Sequence, residues 1–275
     1  MKLPASPRVS GTLKKAALIL LVAAVFVLSC LLYLYFRKTP ASAPGKTFSN
    51  QDFGLDTWIS PYDADGDGID DQTDILQSAR DYLATDPKYE SRYYQTGYPD
   101  DGYGVCTDVV AFALRGAGYD LQALVDADIR TNHDGYADEK PDPKIDFRRV
   151  RNLLVYFQHM SGSSDASGEN SAAASAGGGT DGSAASGGDP DPVRAGGTLA
   201  CTSLSCDPLD IRAWQGGDIV IFSNHIAIVS DRRNKDGVCL ILHHANPFQL
   251  SFEEDGLSWY GQIRGHFRLI PPEMR

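Results

Sequence analysis

An α+β fold is predicted by three observations. Helical periodicity fills the first half of the body of the chain. Short β-branched and aromatic runs fill the second half. The change comes across one long Gly/Ser/Ala-rich stretch. The arrangement expected is N-terminal helices packed on an antiparallel sheet.

Taken in order, residues 1–15 are a basic N-terminus carrying Lys2, Arg8, Lys14 and Lys15. Residues 16–36 are almost wholly apolar and long enough to span a bilayer as one transmembrane helix. Only Arg37 and Lys38 follow. The larger positive cluster places the N-terminus in the cytoplasm and the body outside a cell membrane crossed once. A cleaved signal peptide is the rival, but the apolar core is long and a small-residue cleavage site is missing. Residues 39–53 read as a polar stalk, and 54–275 as one extracytoplasmic domain.

Charge narrows the partners. The chain carries 25 Lys+Arg and 36 Asp+Glu, net −11. Six of the basic residues and none of the acidic ones lie in the first 38 positions, so the remainder stands at 19 against 36, or −17. Such a surface repels nucleic acid and anionic lipid.

Helices are predicted over 73–83, 107–117, 121–129 and 147–159, and strands over 218–222, 225–230, 237–243 and 263–270. Between Ser161 and Pro190, 23 of 30 residues are Gly, Ser or Ala. That run buries too little apolar surface to offset its ordering entropy, so about 161–200 reads as a disordered insertion. It interrupts one domain, because neither flank alone holds a complete core.

The densest local signal is Asp63-Ala64-Asp65-Gly66-Asp67-Gly68-Ile69-Asp70-Asp71-Gln72-Thr73-Asp74. It follows the EF-hand pattern of oxygen ligands at alternate positions, with Asp where the last ligand is usually Glu. The expected calcium ligands are Asp63, Asp65, Asp67, the Ile69 carbonyl, Asp71 through water, and Asp74. The ion would be structural.

Cys106 sits where a glycine-punctuated loop meets an apolar helical pattern. A helix N-terminus is expected to lower a thiol pKa, and the thiolate is the nucleophile. His225, at a strand start, is the candidate base. One of His243 and His244 would orient it. They point to opposite faces of a strand, so only one can serve, and His243 is preferred. Asp108 suits a cap in the helix's first turn. Arg148, Arg149 and Arg151 form a basic cluster, either a solvated helix face or a holder for a substrate carboxylate. Trp214 is read as a packing anchor, Cys239 as a buried hydrophobe, and His133, His159 and His266 as structural. Cys201 and Cys206 are close enough for a small disulfide loop, and their redox state stays open. No zinc spacing is present.

Several segments carry a resemblance. They are Tyr98-Pro99-Asp100-Asp101-Gly102-Tyr103-Gly104-Val105-Cys106-Thr107-Asp108, Pro141-Asp142-Pro143-Lys144-Ile145-Asp146-Phe147, Gly217-Asp218-Ile219-Val220, and His225-Ile226-Ala227-Ile228-Val229-Ser230-Asp231. In these the chain resembles the bacterial domain-of-unknown-function 1287 family, itself similar to the NlpC-type, papain-like cell-wall cysteine peptidases. The resemblance implies a papain-like NlpC-type fold, with Cys106 as nucleophile, His225 as base and His243 as third residue. It departs from typical NlpC-type enzymes in having Val105-Cys106-Thr107-Asp108 in place of Asp-Cys-Ser-Gly. The function expected is a membrane-anchored thiol hydrolase, an amidase or peptidase acting on peptidoglycan or another cell-wall peptide. The alternatives are a calcium-stabilised surface binding module with an inactive site, and a thiol acyltransferase.

Overall fold

A computed structural model describes residues 20–29, 45–136, 140–162 and 199–270. The chain divides into two units, Met1–Ala41 and Ser42–Arg275. In the first, residues 20–29 are helical (α1) with exposed side chains. No helix among the described residues is long and apolar enough to cross a membrane. The rest of the expected span, 16–19 and 30–36, lies outside the described residues, as do 163–198 of the expected insertion.

The second unit is α+β, with helices α2 (Asp71–Ala84), α3 (Cys106–Gly116), α4 (Leu121–Thr131) and α5 (Val150–Met160). Strands β1 (Lys88–Tyr89) and β2 (Tyr103–Gly104) form a small parallel pair. The main sheet is antiparallel, ordered β3-β8-β4-β5-β6-β7. Its strands are β3 (Ala200–Ser203), β4 (Ile219–Phe222), β5 (Ile226–Arg233), β6 (Cys239–Leu242), β7 (Glu253–Glu254) and β8 (Ile263–Ile270).

Each helix start has a local cause. Asp70 caps α2 by accepting from the Thr73 amide, and Asp120 caps α4 through the Ala123 amide. Apolar faces then pack inward. Ile75, Ala79 and Leu83 of α2 meet Val109, Val110 and Ala113 of α3. Helices α2 and α3 lie against β5, and α5 lies against β3 and β8.

The sheet is buried on both faces. Ile219, Ile221, Ile226, Ile228 and Leu242 face the helices. Val220, Phe222, Ala227, Val229 and Ile241 face a second cluster with Trp214 and Leu257. Alternation therefore vanishes from the sequence, and these strands read as unbroken apolar runs.

Several expected boundaries move. The stalk ends before residue 48. Phe48 bridges to Arg233, and buried Asn50 bonds the Arg233 and Gln215 side chains. The insertion ends before Leu199, because Leu199 and Ala200 are buried and lead β3. The helix expected over 147–159 divides into a 3-10 turn at Asp146–Arg148 and then α5. Among the described residues no disulfide forms. The Cys201 thiol is buried and donates to the Phe157 carbonyl at 3.4 Å, while Cys206 is exposed.

One buried carboxylate joins the parts. Asp218 accepts Arg268 Nε and Nη2, both at 2.7 Å, His266 Nε2 at 2.9 Å, the Gln215 amide at 2.9 Å and Gln72 Nε2 at 3.0 Å. Trp214 stacks on His266 at 3.6 Å. The turn before Asp218 needs Gly217, whose φ is +87° and where a Cβ would lie 2.6 Å from the Gln72 carbonyl oxygen. Asp218→Asn leaves the mostly shielded Arg268 guanidinium without its counter-charge. It is expected to cost about 3 kcal/mol or more, read from denaturant unfolding. A loss below about 0.5 kcal/mol would show that the network is not a strong tie.

Candidate active site

Cys106 is the first residue of α3, after Val105 in extended conformation. Val105 has no side-chain acceptor, so the helix start is held from within. The Asp108 carboxylate accepts the Val105 amide at 2.8 Å. The same carboxylate takes Arg148 Nε at 2.6 Å and Nη2 at 2.9 Å. Arg148 also donates to the Arg92 carbonyl and lies over the Tyr94 ring. Arg148 is therefore buried, neither a solvated helix face nor a holder of substrate.

His225 immediately precedes β5, and His243 and His244 immediately follow β6. His225 Nε2 lies 2.7 Å from His243 Nδ1, and His243 Nε2 lies 2.7 Å from Glu254 Oε1. All three residues are buried. Tyr260 stacks on the His225 ring at 4.2 Å and meets His243 edge-on. His244 faces elsewhere, edge-on to Tyr89 and Phe252, with Nδ1 buried and lacking a hydrogen-bond partner among the described residues.

This row imposes proton positions. Glu254, as a carboxylate, only accepts, so His243 carries its proton on Nε2. His243 Nδ1 then accepts from His225 Nε2–H. The lone pair of His225 is left on Nδ1, the form a general base requires.

The thiol meets the histidine element through backbone. The backbone amides of Ile226, Thr107 and Cys106 favour the thiolate of Cys106. No hydrogen bond joins Cys106 to His225 among the described residues. Burial is the largest influence and pushes the thiol up to about 11. The Ile226 amide opposes this, and the Asp108 charge adds to it. The expected lowering by the helix N-terminus is therefore outweighed by loss of water. Burial, with the His243 and His244 charges, also holds His225 well below the usual imidazole range. The resting pair is neutral thiol and neutral imidazole.

Glu254 went unnoticed in the sequence. It sits in Phe252-Glu253-Glu254-Asp255, which reads as a solvated acidic turn. The available signal was hairpin reach: β6 and β7 pair Ile241 with Glu254, and His243, two residues on, lies diagonal to Glu254 on the same face. Of the other histidines, His159 pairs with Asp128 and His266 with Asp218.

The acidic loop lies elsewhere on the body. Carboxylate oxygens of Asp63, Asp65 and Asp67 lie within 4.8 Å of one another. Asp71 accepts the Ala64 amide at 2.8 Å and the Tyr119 hydroxyl at 2.6 Å. Ile69 is exposed and Asp74 is buried.

The family model described as "Domain of unknown function (DUF1287)" matches residues 76–178 and 198–269. The "Uncharacterized protein YijF" of Escherichia coli (strain K12) is 27% identical over 202 residues, covering 70% of this chain and 80% of that protein. No solved structure matches.

His244 provides a pH test. Unfolded, it titrates near 6.5. Folded, burial first, then the His243 charge, holds it to about 4. Its neutral form is what the fold accommodates, so that stability is complete above pH 6.5 and is lost as pH falls toward 4. The unfolding free energy of wild type relative to His244→Asn should fall by roughly 2–3 kcal/mol between pH 7 and pH 4. A pH-independent difference would show that the ring is not held neutral.

Proposed function

The chain belongs to the family described as domain of unknown function (DUF1287), and from that premise we propose that it is a thiol hydrolase of the papain-like, NlpC-type class. The observation that carries this reading is the buried row Glu254–His243–His225, whose last member adjoins Ile226, the strand residue whose amide acts on the helix-tip Cys106 thiol.

The chemistry follows from the positions. His225 Nδ1 takes the Cys106 proton as sulfur attacks an amide carbonyl carbon. Backbone N–H groups at the start of α3 stabilise the oxyanion. His225 returns the proton to the leaving amine, and a thioester remains on Cys106. Water, activated by the same nitrogen, then releases the acid. Because the resting thiol is neutral, proton transfer accompanies attack rather than preceding it. His243 and Glu254 are positioning residues that hold the productive tautomer.

The substrate class we favour is a peptide or amide bond of peptidoglycan. The support is the apolar span preceding an acidic, outward-facing body, together with the family's resemblance to cell-wall peptidases. The localisation proposed is the cell membrane, crossed once. A second reading draws on the buried neutral thiol and its lack of a hydrogen bond to His225: a surface module that binds cell wall without cutting it. The same residues would serve a thiol acyltransferase if an amine replaced water as acceptor.

The full chain incubated with purified peptidoglycan, with mass analysis of released fragments, tests these readings. Cys106→Ala should release nothing. His225→Ala should lower kcat/KM about 10³-fold or more. Glu254→Gln should cost about 10²-fold or more, because an amide accepts or donates and no longer dictates the tautomer. Binding without release by the wild-type chain would favour the binding module. Activity surviving in Cys106→Ala would end the thiol mechanism.

A further inference from the structure

We propose that the loop between Asp63 and Asp74 binds one calcium ion, through the carboxylates of Asp63, Asp65, Asp67 and Asp74 and the Ile69 carbonyl, and that the ion clasps the far end of the cysteine helix. Two observations point to a ligand. The first is the convergence of Asp63, Asp65 and Asp67, whose oxygens lie within 4.8 Å of one another. Oxygens bound to a common calcium at about 2.3–2.6 Å are separated by no more than about 5 Å. The second is Asp74. It is 8% exposed, and its Oδ2 is buried with no hydrogen-bond partner among the described residues. The negative charges of Asp67, Asp65, Asp71 and Asp63 all bear on it. A buried carboxylate under the charge of four others, with an idle oxygen, is costly unless a cation meets it.

The donor set identifies the ion. All ligands are hard oxygens, four of them anionic, on a loop that turns through Gly66 and Gly68 at φ +77° and +95°. Calcium accepts such many-oxygen, irregular sites. Magnesium demands near-ideal octahedral geometry and gives up water reluctantly. Asp71, expected from the sequence to act through water, also ties the loop to its surroundings. Its bonds to Ala64 and Tyr119 tie the loop to the residues just past α3. Asp65 also packs on Gly118, where a Cβ would lie 2.9 Å from the Asp65 Cβ. Helix α3 has 11 residues, about 16 Å at 1.5 Å per residue. The ion therefore takes no part in chemistry at Cys106, and the inference stands apart from the hydrolase reading.

The test is thermal melting of the full chain, freed of metal with chelator, then titrated with calcium chloride. For affinities near 10⁻⁴ M, as in extracellular calcium modules, 10 mM calcium should raise Tm by about 5–10 °C, saturably. Calorimetry should give one ion per chain. Asp63→Asn with Asp67→Asn should abolish the rise. Asp74→Asn, which relieves repulsion and so retains the fold, should weaken binding at least tenfold. An equal rise with sodium or magnesium at matched ionic strength would reduce the effect to screening and overturn the proposal. No rise, or an undiminished response in Asp74→Asn, would overturn it as well.

Discussion

The Asp218 carboxylate is taken wholly out of water, and five donors converge on it from three parts of the chain. Burying a charge is expensive, and only a full set of partners makes it tolerable. Those partners are therefore held together. Arg268 and His266 lie in β8, Gln215 in the turn before β4, and Gln72 in the first turn of α2. From Asp218 the chain runs through β4 to His225. From Gln72, α2 leads to its packing on α3 and thus to Cys106. Both halves of the candidate site are measured from one anchor.

The site itself trades solvation for order. Cys106, His225, His243 and Glu254 are all nearly inaccessible to water. In such surroundings each charge is penalised, and the thiol and His225 rest neutral. The low dielectric also strengthens each hydrogen bond in the row from Glu254 to His225. The aromatic face of Tyr260 on His225 adds to this seclusion.

Much of the layout was legible because it rests on local signals. The cysteine helix announces itself by loop glycines running into an apolar period, and β4, β5, β6 and β8 by β-branched runs. What was not legible depends on partners far away in sequence. Arg148 reads as surface until Asp108, 40 residues earlier, is placed beside it. Glu254 reads as solvent-facing until β7 pairs with β6. Strand β3 follows a stretch of Gly, Ser and Ala, and only its pairing with β8 makes it a strand. Phe48 and Asn50 look like stalk until Arg233, fully buried, needs their backbone and side-chain oxygens. Placement of Asp71 likewise required Tyr119, which carries no signal of its own.

Strand β7 has a further consequence. It closes one side of the main sheet with two residues, both glutamate. An unpaired sheet margin invites another chain to add on, and short strands bearing inward charge discourage that. Glu254 turns inward to His243, while Glu253 is held by Arg80, Arg232 and Ser230. A chain docking there would have to desolvate what water contact the Glu253 carboxylate keeps. The strand that steadies the histidine row is thus also the short, charged margin of the sheet, so edge and site share one constraint there.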